Sequence, residues 1–286
     1  MSFVYINTKL GRNQTQVLHQ GRSTNMYRIK LIIKEIMWTI IFWIRLLKGL
    51  FPQKPIVYSD HKVTVINPTF SPERLKNVKR QTKILLKCAF IERIIISNHN
   101  PQVRIEEAIN FVDDRLILIN QADRRGGGYR FVVVNSYHPK FIFSIDDDIL
   151  LFPSQLARVL EELIKHPEVP HGIAGGYRSD YIRNRETEVD HLTQFYAITD
   201  KHLENYFDLV KEISFRDEKI GELIELWGDD LLISNTGNGL PRIHKIGVFI
   251  QDRTAAKPGV AHFTYNGCGN NRKRIFMVLK EVLDLK

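Results

Sequence analysis

The sequence predicts an α/β fold with a mainly parallel central sheet, preceded by an N-terminal amphipathic helix. From about residue 60 onward, short β-rich runs alternate with helical patterns, which is typical of strand–helix–strand units. The 286 residues are 43% hydrophobic and 26% charged, the composition of a folded globular chain. Disorder, a collagen-like repeat and a coiled coil are therefore excluded. In such a sheet, functional side chains are expected at the carboxyl ends of the strands.

The first 55 residues carry most of the net charge. They hold nine Lys or Arg against one acidic residue, Glu35, whereas the rest of the chain is close to neutral. A nucleic-acid groove spreads its cations over the folded body, so nucleic acid is not expected as a partner. We assign residues 1–55 to a basic N-terminal segment and residues 56–286 to the folded domain.

A helix is predicted within residues 28–51 of this segment. Its longest uncharged run, Ile36 to Ile44, would rise roughly 14 Å, about half of a ~30 Å hydrocarbon core. A helical wheel separates a basic from an apolar face, as in helices that lie in an anionic membrane surface. A helix docked on the core and a tilted single-pass anchor are the alternatives. The basic face comprises Lys30, Lys34, Arg45 and Lys48, and the apolar face Ile32, Ile36, Trp43, Leu46 and Leu50.

The cellular location is predicted to be cytoplasmic and peripheral to a membrane. No small-residue cleavage site follows the late apolar stretch, so a cleavable signal peptide is not expected. The two cysteines, Cys88 and Cys268, lie too far apart in sequence to suggest a zinc ribbon or a disulfide framework. A reducing compartment is the default expectation.

The elements of the folded domain follow from hydrophobic periodicity. A helix is predicted to open at Pro153 and Ser154, with a fixed φ and a capping hydroxyl. Strands are predicted at 62–66, 91–97, 116–120 and 141–145, and further helices at 72–87 and 105–112.

Three consecutive aspartates follow the strand FIFSI. Side chains alternate along an extended chain, so Asp146 and Asp148 are expected to converge while Asp147 points to the other face. Three adjacent anions at the end of a buried strand are costly without a cation, and Mg²⁺ or Mn²⁺ prefers oxygen ligands. A metal site is therefore favoured over a solvated turn.

Three further groups of polar residues are candidate site residues. Asp229 and Asp230 either cap a helix or hold a substrate hydroxyl or a positive reaction centre. Arg124, Arg125 and Arg130 surround three glycines in QADRRGGGYR, either in a surface loop or against a diphosphate. Near the C-terminus, His262 precedes a basic cluster formed by Arg272, Lys273 and Arg274. This stretch would either close over phosphates or cap the last helix.

The run FIFSIDDDILLFPSQLARVLEELIKHPEVPHGIAGGYRS resembles the central block of the exostosin-like glycosyltransferases, family 64. KVTVINPTFSPERL is similar to the family's first strand and helix, IIISNHN to its strand ending in asparagines, and WGDDLLIS to its acidic motif. The resemblance covers about residues 60–278, and the Asp triplet is its most specific part. It implies the GT-A type of nucleotide-sugar transferase fold, with a nucleotide half at about 56–148 and an acceptor half at about 149–286.

The resemblance also implies roles for individual residues. Mn²⁺ or Mg²⁺ would be held by Asp148, with Asp146 helping through the ribose or a metal-bound water. Asp230, with Asp229 beside it, would act at the acceptor hydroxyl or the reaction centre. The remaining expected contacts to the UDP-sugar donor come from Asn98, Arg124, Arg130, Asp147, His262 and Arg272. The acceptor would be a glycan or a lipid-linked glycan, and the family retains the anomeric configuration.

Several positions depart from the family pattern. Tyr129 stands where the family prefers Asn, Trp227 and Gly228 replace a Cys context, and Ser234 replaces an Asn. The paired cysteines of secreted members are missing, which favours a cytoplasmic, bacterial or viral relative. An inverting transferase with Asp229 or Asp230 as the base, metal-dependent phosphoryl transfer or hydrolysis, and a non-catalytic membrane-surface protein are the alternatives.

Overall fold

A computed structural model describes residues 61–177 and 180–284, together with positions 32, 33, 36, 37, 39, 40 and 44. The chain separates into two compact units, Met1–Pro52 and Gln53–Lys286. In the first unit the seven described residues are helical; the rest of the predicted amphipathic helix lies outside the described residues. Within the part of the chain that is described, no helix has both the length and the apolar character that a membrane crossing requires.

The second unit is built on an eight-stranded sheet with the order β3-β2-β1-β4-β11-β6-β12-β9. The first four of these strands run parallel, and β11 pairs antiparallel with β4. The predicted α/β class with a mostly parallel central sheet is thereby confirmed. The strands are β1 Val63–Thr69, β2 Ile91–Asn98, β3 Leu116–Asn120, β4 Phe141–Ile145, β5 Ile149–Leu150, β6 His171–Gly172, β7 Ala174–Tyr177, β8 Asp180–Arg183, β9 Thr187–Glu188, β10 His191–Leu192, β11 Phe195–Thr199, β12 Arg242–Ile243 and β13 Ile250–Gln251.

Helices cover both faces of the sheet, because the strands alternate apolar side chains between two cores. Val65 and Phe143 face a core closed by α1 and α3, whereas Ile66 and Ile142 face a core closed by α2 and α4 to α7. The helices are α1 Leu75–Leu85, α2 Tyr129–Asn135, α3 Pro153–Lys165, α4 Asp200–Arg216, α5 Glu218–Trp227, α6 Asp229–Ser234 and α7 Cys268–Leu283.

Two local predictions were wrong. The helix expected at 105–112 is only a 3₁₀ turn, Ile105–Glu107, in which Ile105 is fully buried and its amide donates to the Asn120 side chain. The expected capping hydroxyl of Ser154 is absent, because Phe152 is the N-cap residue of α3 and its amide donates to the Gln155 side chain. In the first case a contact 15 residues away in the chain holds the backbone, and in the second a capping contact three residues away does so.

The strand order reverses between β1 and β4. From β1 the chain adds β2 and β3 on one side, and then crosses to the other side of β1 with β4. This reversal is a topological switch point, where open α/β sheets bind ligands at the carboxyl ends of their strands. Thr69 ends β1, and Asp146 follows β4 directly.

Candidate functional site

The aspartate triplet forms a turn at this switch point. β4 ends at Ile145, residues 147 and 148 are in the turn, and β5 begins at Ile149. Arg74 bridges two of the carboxylates, with Nη1 2.6 Å from Asp147 Oδ1 and Nη2 3.3 Å from Asp148 Oδ2. The expected alternation is therefore wrong for Asp147 and Asp148, which one guanidinium joins, because the chain leaves the extended conformation at this point.

Amide side chains hold the backbone of the turn. Asn77 donates to the Asp147 carbonyl at 2.7 Å, and Gln81 donates to the carbonyls of Asp146 and Ile149 at 3.1 and 2.8 Å. Asn77 and Gln81 lie on one face of α1 and are buried. Because buried carbonyl groups need donors, these contacts fix the turn without using the carboxylates.

Asp147 and Asp148 differ in how well their oxygens are satisfied. Asp147 accepts from Arg74 and, at 3.0 Å, from the Thr69 hydroxyl. Asp148 Oδ1 is buried and has no hydrogen-bond partner. Burial and the nearby Asp146 charge raise the pKa of Asp148. An unpartnered buried carboxylate oxygen is costly, and a bound cation would remove that cost.

Arg130 joins the triplet to the second acidic pair. Its Nη1 is 2.7 Å from Asp146 Oδ1, and its Nη2 is 3.3 Å from Asp229 Oδ2. Burial disfavours its charge, but Asp146 and Asp229 together raise the pKa of Arg130. Asp229 Oδ2 makes no hydrogen bond, and burial raises the pKa of Asp229 despite the neighbouring arginine. The aspartate triplet and the acidic pair Asp229 and Asp230, both predicted from sequence as site residues, thus belong to one charged cluster.

Asp230 forms a bidentate ion pair with an arginine of the last helix. Arg272 Nη1 and Nη2 lie 2.6 and 2.7 Å from the two Asp230 carboxylate oxygens, and Nη1 also donates to the Trp227 carbonyl at 3.0 Å. The Trp227 and His262 rings stack with centroids 4.3 Å apart. Both C-terminal residues predicted from sequence therefore lie beside the second acidic pair.

The loop that contains Gly126, Gly127 and Gly128, here called the glycine loop, packs against α5 close to Asp229. The Gly126 and Gly128 amides donate to the side chain and the carbonyl of Glu225, each at 2.9 Å. A Cβ on Gly126 would overlap the Glu225 carbonyl, and a Cβ on Gly128 would lie 3.0 Å from Asp229 Cβ. The glycines are needed for this close approach, which brings Arg130 to Asp229.

Two of the residues that were expected to contact the UDP-sugar, Asn98 and Arg124, lie outside the charged cluster. The Asn98 side chain is buried in a loop network, donating to the carbonyls of Asn100 and Val103 at 2.9 and 2.6 Å. The exposed Arg124 lies over the Phe70 ring at 4.7 Å. In this structure Asn98 supports the end of β2, and Arg124 stays available to solvent.

Sequence reasoning did not identify Arg74, Thr69, Asn77 or Gln81 at the triplet. The available signal was a row of polar residues at helical spacing: Arg74, which is the N-cap residue of α1, and Asn77 and Gln81 within this helix. Such a row ordinarily marks a solvated face, and only the sheet order shows that it is buried against the β4 turn.

A preassembled metal cluster is not present among the described residues: no group of three or more His, Cys, Asp or Glu has a suitable arrangement there. The donor set nevertheless suits a hard divalent ion, since such ions often take one or two carboxylates and complete their shell with phosphates and water. Within the triplet, Asp148 Oδ1 is the buried oxygen that no hydrogen bond satisfies, and it is therefore the atom that a metal ion would contact.

Comparisons with known proteins add little. No family model matches the sequence. No curated protein matches it. One solved structure that the search matches is that of CMP:2-keto-3-deoxy-manno-octonic acid synthetase complexed with CTP, at 13% identity and a TM-score of 0.38, over 57% of this chain and 85% of that chain. The resemblance to exostosin-like transferases stays a hypothesis.

Proposed function

We propose that this chain is a metal-dependent glycosyltransferase that moves a hexose or N-acetylhexosamine from a UDP-sugar to a glycan or lipid-linked acceptor. The observation that carries the proposal is the single charged cluster at the switch point. In it, Arg130 contacts both the aspartate triplet and Asp229, and Arg272 holds the neighbouring Asp230. A donor diphosphate and a reacting sugar need such an arrangement, with a cation site and acidic groups a few ångströms apart.

The residues at the triplet fit a divalent metal. Asp148 would hold it through the oxygen that has no partner, and Asp146 would assist through the ribose or a water. Bound there, Mn²⁺ or Mg²⁺ would neutralise the negative charge that grows on the leaving UDP. Both Asp147 oxygens already accept hydrogen bonds, from Arg74 and Thr69, so the metal is assigned to the neighbouring Asp148 and Asp146.

The second acidic pair is proposed to act on the sugar and the acceptor. Arg272 occupies both oxygens of Asp230, which fixes the carboxylate in one orientation. A fixed anion can stabilise an oxocarbenium-like centre or accept from an acceptor hydroxyl with its remaining lone pairs. In a retaining reaction the leaving phosphate would accept the acceptor proton, so no side chain would need to act as a base.

An inverting reaction is the second candidate, and the environment of Asp229 favours it. Its Oδ2 has no hydrogen-bond partner, and burial raises its pKa. A general base works best when its pKa is near the operating pH. Between the two aspartates, Asp229 is therefore the better base, because both oxygens of Asp230 are held by Arg272.

A donor screen tests the proposal. Full-length protein is incubated with UDP-, GDP- and CDP-sugars and Mn²⁺, and sugar transfer or donor hydrolysis is followed. We expect turnover of a UDP-sugar that EDTA abolishes, that Asp148→Asn removes, and that the exposed Asp208→Asn leaves unchanged. Metal-dependent release of phosphate without sugar transfer would instead indicate phosphoryl chemistry.

The anomeric configuration of the product separates the two candidates. Retention would support the reaction without a side-chain base. Inversion, together with loss of activity in Asp229→Asn, would support Asp229 as the base. Absence of turnover with every donor would contradict both, and would favour a protein that binds without catalysis.

A further inference from the structure

Asp252 lies directly opposite Asp148 across a short antiparallel ladder. β13 pairs with β5 so that Ile250 faces Leu150 and Gln251 faces Ile149. The next position continues this register, since the Asp252 amide donates to the Asp148 carbonyl at 2.6 Å. Opposite residues on an antiparallel pair point to the same face with Cβ atoms ~5 Å apart. Two carboxylates from distant parts of the chain are thus brought together.

The positive charge near these carboxylates does not balance them. Arg74 is closest to Asp147, at 2.6 Å, and reaches Asp148 only at 3.3 Å. No Lys, Arg or His nitrogen of residues 61–177 and 180–284 lies within 4.0 Å of the Asp252 carboxylate. Like charges that face each other across strands destabilise the pair unless a cation lies between them.

The orientation of Asp252 is fixed by hydrogen bonds to one of its oxygens. Asp252 Oδ1 accepts from the Thr254 amide and hydroxyl at 2.8 and 2.6 Å. Thr254 in turn accepts from Arg74, at its hydroxyl and its carbonyl, each at 3.2 Å. Arg74, which pairs with the triplet, therefore also positions the segment that carries Asp252.

Asp148 supplies the second, independent observation. This residue is only 7% exposed, and its Oδ1 has no hydrogen-bond partner. A buried oxygen without a donor, on a residue that lies opposite a second carboxylate, is the arrangement that a hard divalent cation would satisfy.

We propose that Asp252 is a second protein ligand of the divalent metal that Asp148 holds. The inference rests on the proposed function and deepens it, because it adds a ligand from the C-terminal part of the chain to the site at the end of β4. With two protein carboxylates, the site binds a divalent ion before any nucleotide arrives, and the remaining coordination positions are left to phosphate and water.

Binding of Mn²⁺ alone to the full-length chain tests this ligand. Asp252→Asn is the informative variant, because its amide oxygen can still accept from Thr254 while the charge is removed. We expect one Mn²⁺ per wild-type chain by titration calorimetry and electron paramagnetic resonance, at least ~10-fold weaker binding in Asp252→Asn, and loss of binding in Asp148→Asn. The matched control Asp208→Asn should bind as the wild type does.

Thermal unfolding distinguishes a metal ligand from a purely structural residue. Without metal, Asp252→Asn should unfold at the same or a higher temperature than the wild type, because a like-charge pair is removed. With Mn²⁺, the wild type should gain stability and the variant should gain less, because a ligand that binds the native state stabilises it. A lower unfolding temperature without metal together with an unchanged Mn²⁺ effect would overturn the inference.

The outcomes separate this inference from the proposed function. If Asp252→Asn binds Mn²⁺ as tightly as the wild type while Asp148→Asn does not, Asp252 is not a ligand and the metal site at the triplet stands. If the wild type binds no Mn²⁺ without nucleotide, the two-carboxylate site is overturned, and Mn²⁺-dependent sugar transfer would still support the proposed function.

Discussion

At the scale of single residues, two arginines organise the acidic side chains. Arg130 is shared between Asp146 and Asp229, and Arg272 binds both oxygens of Asp230. Buried charges are tolerated only when they are paired, so removing one partner costs more than the pair contributes. Substitutions in this cluster must therefore be tested for folding as well as for activity.

Asp230→Asn tests the role proposed for this carboxylate. The substitution keeps the shape and one acceptor, so donor affinity should change little while turnover falls by ~10² or more. The measurement is steady-state kinetics with a UDP-sugar, and Asp208→Asn serves as the control. Thermal unfolding checks that Arg272 without its partner has not disrupted α7.

The opposite pattern would contradict that role. If donor affinity collapses and turnover at saturation survives, Asp230 binds the nucleotide rather than acting at the reaction centre.

His99 gives the stability of the domain a pH dependence. It is 2% exposed, and burial, with a smaller contribution from the Arg130 charge, lowers its pKa from 6.5 to about 4. Between these values the unfolded chain takes up a proton that the native chain does not, so stability falls as the pH falls from 6.5 towards 4. The loss is about 3 kcal/mol for this residue. Asp148 and Asp229, whose pKa values burial raises, contribute the opposite pH dependence over this range. The difference in urea unfolding between the wild type and a His99 variant should therefore show the loss.

His99→Gln is the comparison for that measurement. Without the titrating group, the free energy of unfolding should fall less as the pH falls from 6.5 to 4, although buried His171, whose pKa is also lowered to about 4, still contributes a loss. An identical slope in both proteins would contradict the assignment.

At the scale of elements, the site depends on loops that are packed against helices. The glycine loop is hydrogen-bonded to Glu225 of α5. This contact fixes the start of α2 and thereby the position of Arg130 in its first turn. In the same way, the polar row of α1 fixes the turn after β4. The strands place the carboxylates at one edge of the sheet, and the helices then set their orientation.

Gly126→Ala and Gly269→Ala form a matched pair that tests this dependence. A methyl group at Gly126 would overlap the α5 backbone, so the loop must shift, with a cost of ~1–3 kcal/mol and a loss of donor turnover. Gly269 lies in the first turn of α7, and a Cβ there meets nothing within 4 Å. Its substitution should leave activity unchanged and stability unchanged or raised by up to ~1 kcal/mol.

Chemical denaturation and donor turnover of the two variants are the measurements. Equal behaviour of Gly126→Ala and Gly269→Ala would show that the glycine loop does not position Arg130.

At the scale of the whole molecule, charge is segregated along the sequence. Residues 1–55 carry nearly the whole net charge of +9. The described apolar residues of this segment recur at helical spacing and are about half exposed. They are Ile32, Ile33, Ile36, Met37, Ile40 and Ile44. We propose that this segment binds an anionic membrane surface and thereby brings the chain to the lipid-linked acceptors of the proposed reaction.

Liposome flotation tests the membrane proposal. Each basic residue near an anionic leaflet contributes about 1 kcal/mol, screened over a Debye length of about 8 Å at physiological salt. Binding should therefore rise with the anionic lipid fraction and fall with salt. The quadruple substitution of Lys30, Lys34, Arg45 and Lys48 by Gln should abolish it without changing the circular dichroism spectrum.

Two results would contradict this proposal. Binding that resists high salt and alkaline carbonate indicates a spanning anchor. Absence of lipid binding, with destabilisation of the domain on deletion of residues 1–55, indicates a helix docked on the core.

The sequence by itself determined the α/β class and the positions of β1 to β4. It also identified the two acidic motifs, because short β-rich apolar runs and an abrupt change to adjacent aspartates, as after FIFSI, are local signals. The sequence could not show that Arg74 joins Asp147 to Asp148 or that Asp252 faces Asp148. Those neighbours are separated by 73 and 104 positions in the chain, and the sheet order and a short strand pairing bring them together. Only the tertiary structure decided which carboxylate oxygens are satisfied, because the number of donors around a buried group depends on packing between distant segments.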